Sequence, residues 1–205
     1  MRGGRVAVPL VAAALAAAAS VHPGAAATVG DAGRGRAVFE SKQCARCHRP
    51  EGQAGVGPAL EKLRQPQGTF ELVGRMWNHA PAMFSALAWE AIPWPALSTA
   101  ETADLMAYLK ADRARDGTAD PLRGQDTLVA KGCLKCHALH GEGAAVAPDL
   151  GRWRPQYEDA AAWGATVWTH TPRMAEVARA RGILYPRFEG SQMANLVAFL
   201  RSTAK

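Results

Sequence analysis

Only four of the 205 residues are cysteine, and all four lie in two short motifs, so none remains for a structural disulfide. Basic residues are thinly spread: the formal net charge is +6, without a run of lysine and arginine of the kind that binds nucleic acid. No segment alternates apolar and polar residues as a strand does, and none beyond the first 27 residues is apolar enough to cross a membrane. These absences exclude a nucleic-acid-binding protein and predict a helical mature chain that does not span a bilayer.

The first 27 residues have the features of an export signal. Two arginines precede an uninterrupted apolar run over 6–19, and residues 25–27 are three alanines suited to cleavage. The apolar run is too short for a comfortable membrane span. We therefore predict a signal peptide over 1–27, a mature start near Thr28 and export out of the reducing cytoplasm. An uncleaved N-terminal anchor is the alternative.

The mature chain consists of two copies of one sequence repeat. A Cys-Ala-Arg-Cys-His motif at 44–48 returns as Cys-Leu-Lys-Cys-His at 133–137, 89 residues later. A Trp-Asn-His-Ala-Pro-Ala-Met motif at 77–83 returns as Trp-Thr-His-Thr-Pro-Arg-Met at 168–174, 91 residues later. The stretch between the copies is polar, contains Gly and Pro, and is typical of a linker. Each copy is small for a self-sufficient core. The predicted domains are 28–116 and 117–205.

The spacing of apolar residues predicts helices in both copies. Asp31 is placed to cap the first helix, and Ser98 and Glu101 form the pattern of a capping box. A loop rich in Gly and Ala follows each Cys motif. The predicted helices run over 31–42, 70–77, 98–110, 158–168 and 190–201.

Cys-x-x-Cys-His is the attachment pattern for c-type haem. Two thiols at this spacing can bond to the vinyl groups at one edge of the porphyrin, and the adjacent histidine can ligate the iron. A redox dithiol does not need the following histidine in both copies, and a zinc site joining the motifs would have to bridge two folding units. The sequence therefore predicts two covalently bound haem c groups. The residues are Cys44, Cys47 and His48 in the first copy and Cys133, Cys136 and His137 in the second.

On these motifs, each unit resembles a class I cytochrome c, and the whole mature chain resembles the two-domain dihaem cytochromes c of bacterial periplasms. The resemblance implies a periplasmic, all-α protein with two tandem domains, each a small helical unit around one covalent haem. It also implies that Gly35 and Gly124 lie where the first helix of each unit crosses the last helix closely. Pro58 and Pro148 match the loop proline whose carbonyl accepts a hydrogen bond from the haem histidine.

The second axial ligand of iron in class I cytochromes c is usually a methionine, and here the candidates are Met83 and Met174. They are the only methionines shared by both copies, and each follows a proline by two residues. Such a proline predicts a loop in place of regular helix. His79 and His170, four residues earlier, are the rival ligands because they too are shared. Two further shared residues, predicted to pack against the haem or the core, are Trp77 and Trp168.

The resemblance implies an electron carrier without catalytic residues, because protein side chains fill both axial positions of each iron. The expected donor is a quinol-oxidising complex or a dehydrogenase, and the expected acceptor is a terminal oxidase or reductase. An electron-transfer subunit of a larger respiratory oxidoreductase is an alternative with the same chemistry and another partner. A dihaem enzyme such as a peroxidase or thiosulfate dehydrogenase is the second alternative, and it requires an open or unusual ligand position.

Overall fold

A computed structural model describes residues 28–152 and 154–205, so the predicted signal peptide lies outside the described residues. Within them the chain forms seven α-helices joined by turns and short 3-10 segments. The first unit contains α1 (Ala32–Ser41), α2 (Leu60–Leu63), α3 (Thr69–Trp89) and α4 (Thr99–Tyr108). The second contains α5 (Pro121–Ala130), α6 (Ala160–Ala180) and α7 (Gln192–Thr203). The prediction of an all-α chain with two tandem helical units is confirmed.

The β structure in the described ranges is minor. Two-residue strands, β1 (Ala138–Leu139) and β2 (Glu142–Gly143), pair antiparallel in the loop after the second Cys motif. A single parallel bridge joins Gln67 to Ala111. Among the helices described here, none is both long and apolar enough to cross a membrane.

Side-chain caps fix where several helices begin. Asp31 accepts a hydrogen bond from the Arg34 N–H at 2.8 Å, as predicted for the start of α1. Ser98 and Glu101 form the predicted capping box before α4, with N–H donors at 3.2 Å and 2.8 Å. These contacts satisfy N–H groups that have no partner inside a helix. The caps of α5 and α6 are Asp120 and Asp159.

Two glycines let the first helix of each unit touch the last. A Cβ on Gly35 would lie 2.0 Å from the carbonyl oxygen of Asp104 in α4. A Cβ on Gly124 would lie 2.0 Å from the carbonyl oxygen of Asn195 in α7. Such distances are far inside van der Waals contact, so any side chain would push the helices apart. The close crossings expected at these glycines are confirmed.

A buried carboxylate reinforces the crossing in the first unit. Asp104 is 6% exposed and accepts hydrogen bonds from the Asp31 N–H at 2.7 Å and the Arg34 guanidinium at 2.8 Å and 2.9 Å. The hydrogen bond from Arg34 holds the pKa of Asp104 below its ordinary value, although burial opposes the shift. In the second unit the equivalent residue is Asn195, whose amide oxygen accepts from the Asp120 N–H at 2.9 Å.

Because the folded-state pKa of Asp104 is lowered, its charge stabilises the fold above the ordinary aspartate pKa of about 3.9. That contribution is lost as the pH falls through the lowered value. We expect Asp104→Asn to lower the melting temperature at neutral pH and to flatten its decline towards acid. Thermal melts over a pH series measure both effects, with the exposed Asp126→Asn as control. Parallel curves for the wild type and Asp104→Asn would contradict this assignment.

The long helices α3 and α6 each span 21 residues and run through Pro81 and Pro172 without a break. The predicted loop at these prolines, and the predicted end of each middle helix before them, are wrong. A proline removes the hydrogen bond to the carbonyl four residues back. In α6 that carbonyl belongs to Trp168, and it accepts a hydrogen bond from the indole N–H of Trp94 at 3.1 Å. In α6 this donor from the other unit compensates for the missing bond.

The two units meet along α3 and α6 through a reciprocal pair of hydrogen bonds. The indole N–H of Trp77 donates to the carbonyl of Pro186 at 2.6 Å. The indole N–H of Trp168, the equivalent residue, donates to the carbonyl of Pro95 at 2.7 Å. Both indoles are buried, at 6% and 7% exposure. Each unit therefore satisfies the buried donor of the other, as in the self-complementary interface of a two-fold dimer.

Stacked rings fill the same interface. Trp77 lies against Tyr185 with ring centroids 5.0 Å apart, and Trp168 lies against Trp94 at 4.2 Å. Tyr185 and Trp94 occupy equivalent positions of the repeat. The buried apolar residues of the two units form one continuous core. The predicted packing of Trp77 and Trp168 in a core is confirmed, and that core lies between the units as well as within them.

Removal of one indole N–H tests this interface. We expect Trp168→Phe to lower the free energy of unfolding by about 1 kcal/mol, because the ring remains but the hydrogen bond to Pro95 is lost. Trp77→Phe should cost a similar amount. Trp89→Phe is the matched control, because Trp89 is 89% exposed and should change stability by less than about 0.5 kcal/mol. Chemical denaturation measures all three, and equal effects at Trp168 and Trp89 would contradict the interface assignment.

Candidate haem-binding sites

Each Cys motif folds into one hydrogen-bonded turn. The turns follow Gln43 and Gly132, whose φ angles of 63° and 69° lie in the left-handed region. The His48 N–H donates to the Cys44 carbonyl at 3.0 Å. In the second unit the corresponding bond, from His137 to Cys133, is 2.9 Å long. The histidine is therefore fixed to the first cysteine of its motif by the backbone itself.

The first cysteine of each motif is a poor thiolate. Burial raises the pKa of Cys44 to about 11 and that of Cys133 to about 11. A thiol with so high a pKa stays protonated near neutral pH. Among the described residues, no cluster of three or more His, Cys, Asp or Glu side chains is placed to hold a metal ion, which disfavours the zinc alternative.

The histidine of each motif is buried and held by a loop carbonyl. His48 Nδ1 lies 3.1 Å from the carbonyl oxygen of Pro58, and His137 Nδ1 lies 2.8 Å from that of Pro148. A carbonyl oxygen only accepts, so Nδ1 donates and Nε2 keeps its lone pair for a metal. The hydrogen bonds expected at these two prolines are confirmed.

A second histidine faces the first from the long helix of the first unit. The ring centroids of His48 and His79 are 6.5 Å apart, and the ring planes meet at 75°. Burial lowers the pKa of His79. The nearby His48 adds to that lowering, while the backbone carbonyl of Arg75 raises the pKa. A neutral imidazole is the form that ligates metals.

The second unit repeats this environment. Burial lowers the pKa of His170, and the neighbouring His137 adds to the effect. The carbonyl of Thr166, one turn back in α6, acts in the opposite direction, as Arg75 does in α3. Both long helices therefore present a half-buried histidine to the histidine of a Cys motif.

The predicted methionine ligands lie one turn further along the same helices. Met83 and Met174 follow His79 and His170 by four residues, which places each pair on one helix face. Both methionines are half-buried and pack against the common core. Four residues correspond to about 6 Å along the helix axis. His79 is the side chain that the structure brings beside His48, while Met83 lies one turn away.

The side chains gathered in each unit fit an iron porphyrin. Two thiols stand at the attachment spacing, and the adjacent imidazole has a free Nε2. The long helix supplies further nitrogen and sulfur donors on its inner face. Nitrogen and thioether sulfur are the donors that c-type haem iron takes from proteins.

The family model for cytochrome c matches residues 32–111 and 122–204. Together these ranges cover most of the chain, and the protein belongs to the cytochrome c family. Its two cytochrome c units imply two covalently bound haem c groups, each with an iron. A comparison with curated proteins and one with solved structures found no match.

The contacts between the units were missed by the sequence analysis. Each copy carries a tryptophan followed 18 residues later by a proline, Trp77 with Pro95 and Trp168 with Pro186. That shared spacing was the available signal, but it does not say that each indole binds the proline of the other copy. Asn78 also pairs across the interface with the backbone of Phe188, at 2.6 Å and 2.7 Å, and has no polar amide counterpart in the second copy.

Removal of one attachment site tests the coupling between the units. We expect replacement of Cys133 and Cys136 by alanine to reduce the mass by one haem. Because the core is shared, we also expect both units to lose stability, by at least about 3 kcal/mol, the cost of emptying a space of aromatic size. Mass spectrometry and denaturation followed at the remaining haem measure these effects. The matched variant lacks Cys44 and Cys47, and an unchanged unfolding midpoint at the remaining haem in either variant would contradict the shared core.

Proposed function

We propose that this protein is an exported dihaem cytochrome c that carries single electrons between redox partners in the periplasm. Bound haem supplies a one-electron change in the oxidation state of its iron. His48 and His137 serve as the first axial ligands. The attachment residues in this proposal are Cys44 and Cys47 in the first unit and Cys133 and Cys136 in the second.

The observation that carries the proposal is the pairing of a Cys-motif histidine with a histidine of the long helix. The ring centroids of His48 and His79 are 6.5 Å apart, and Met83 follows His79 by four residues on the same helix. The sequence-based prediction gives the second position to Met83 and Met174, and the histidines one turn earlier would fill it equally. In either case side chains of this protein would occupy the coordination positions that a substrate needs, which supports electron transfer over catalysis.

The surrounding structure supports the same function. A carrier works best when its ligands move little between oxidation states. The bond from His48 to Pro58 fixes one ring, and the indole bond from Trp77 to Pro186 anchors the helix that supplies the opposite ligand. Buried and fully hydrogen-bonded groups of this kind resist rearrangement.

The proposed donor is a quinol-oxidising complex or a dehydrogenase, and the proposed acceptor is a terminal oxidase or reductase. Each transfer removes one electron from the donor and delivers one to the acceptor, so the protein returns to its starting state. Two haems allow the protein to hold two electrons at once.

An anaerobic redox titration followed in the visible range tests the proposal. We expect two reversible one-electron transitions, no carbon monoxide complex of the reduced protein at equilibrium, and no turnover of hydrogen peroxide or thiosulfate. A stoichiometric carbon monoxide complex of one haem, or turnover of either substrate, would indicate a dihaem enzyme. Co-purification in equal amounts with an oxidoreductase would indicate a subunit of a larger complex.

The same preparation tests export. The proposal expects a protein in the periplasmic fraction that begins near Thr28 and whose mass includes two haems after acid-acetone extraction. A chain that keeps residues 1–27 and stays with the membrane fraction would support the uncleaved anchor.

A further inference from the structure

We propose that the second axial ligand of each haem iron is the histidine of the long helix, His79 in the first unit and His170 in the second. Met83 and Met174 then pack beside the haem without binding its iron. This inference rests on the proposed haem attachment, and it departs from the ligand that the sequence alone predicts.

The spacing of the two imidazoles in the first unit supports this assignment. Two metal–nitrogen bonds of about 2.0 Å each, together with ring radii of about 1.1 Å, separate two ring centroids by about 6 Å. The centroids of His48 and His79 are 6.5 Å apart. This gap matches one metal ion bound by both rings, and a thioether could enter it only if His79 moved away.

The continuity of the helix points the same way. Met83 would reach the position in front of His48 most easily from a loop, but α3 is regular helix from Thr69 to Trp89 and passes through Pro81. On a regular helix Met83 lies four residues after His79 on the same face, about 6 Å further along the axis. His79 is the residue whose ring lies beside His48, so ligation by Met83 would require His79 to leave that place.

The second unit carries the same residues at the same places of the repeat. His170 lies on α6, which is continuous through Pro172 over 21 residues. It is half-buried, and it corresponds to His79 as His137 corresponds to His48. Met174 follows one turn later, as Met83 does in α3. We therefore assign both haems the same pair of imidazole ligands.

The native dihaem protein provides the first test. Methionine ligation gives the oxidised protein a weak sulfur-to-iron charge-transfer band at the red end of the visible spectrum, and paired imidazoles do not. We expect a low-spin spectrum without this band. A charge-transfer band with the intensity of one haem would overturn the assignment in one unit, and a band with the intensity of two haems would overturn it in both. A chain that carries no covalent haem would instead defeat the proposed function, and its mass distinguishes the two failures.

Variants provide the second test. We expect His79→Ala to convert half of the haem to a species that binds external imidazole and then regains the native spectrum, and His170→Ala to do the same for the other half. His79→Met should raise the potential of one haem, because a thioether favours ferrous iron. Met83→Leu should leave the visible spectrum and both reduction potentials unchanged, as the control Met76→Leu should. The opposite pattern, a changed spectrum in Met83→Leu and a native one in His79→Ala, would assign the iron to the methionine.

Discussion

The indole bonds between Trp77 and Pro186 and between Trp168 and Pro95 determine where the two long helices lie. A buried indole N–H must find an acceptor, and here the acceptor is a proline carbonyl of the other unit. The helices are consequently held by the opposite unit, and each helix carries the side chains that face the histidine of its own Cys motif. The distance of 6.5 Å between His48 and His79 thus depends on a contact made on the other side of α3.

Much of the fold was predictable because its signals are local. Asp31 caps α1 and Ser98 caps α4 through hydrogen bonds that span three residues. The Cys-x-x-Cys-His motif forms its own turn. The close helix crossings were predicted from the family resemblance together with the position of a glycine in each copy. Glycine is required there because Gly35 lies so close to the Asp104 carbonyl that no side chain would fit.

The rest was not predictable because it depends on contacts between the copies. Proline has a strong local effect on a helix, so a loop at Pro172 was the natural expectation. In α6 a side chain distant in sequence, Trp94, donates to the carbonyl that the proline leaves free, and α3 also continues through its proline, Pro81. The haem site is limited in the same way. Both Met83 and His79 were candidates because both recur in the second copy, and the sequence does not say which of them a continuous helix brings to His48.

Equal architecture does not make the two haem positions equivalent. At the interface, Trp168 stacks against the indole of Trp94, which also donates a hydrogen bond, whereas Trp77 stacks against the phenol ring of Tyr185. At the helix crossing the first unit carries the ionised Asp104 where the second carries a neutral amide. Burial and nearby charge both shift the potential of a bound metal. Two haem sites with the same attachment motif but different neighbours are therefore expected to differ in potential.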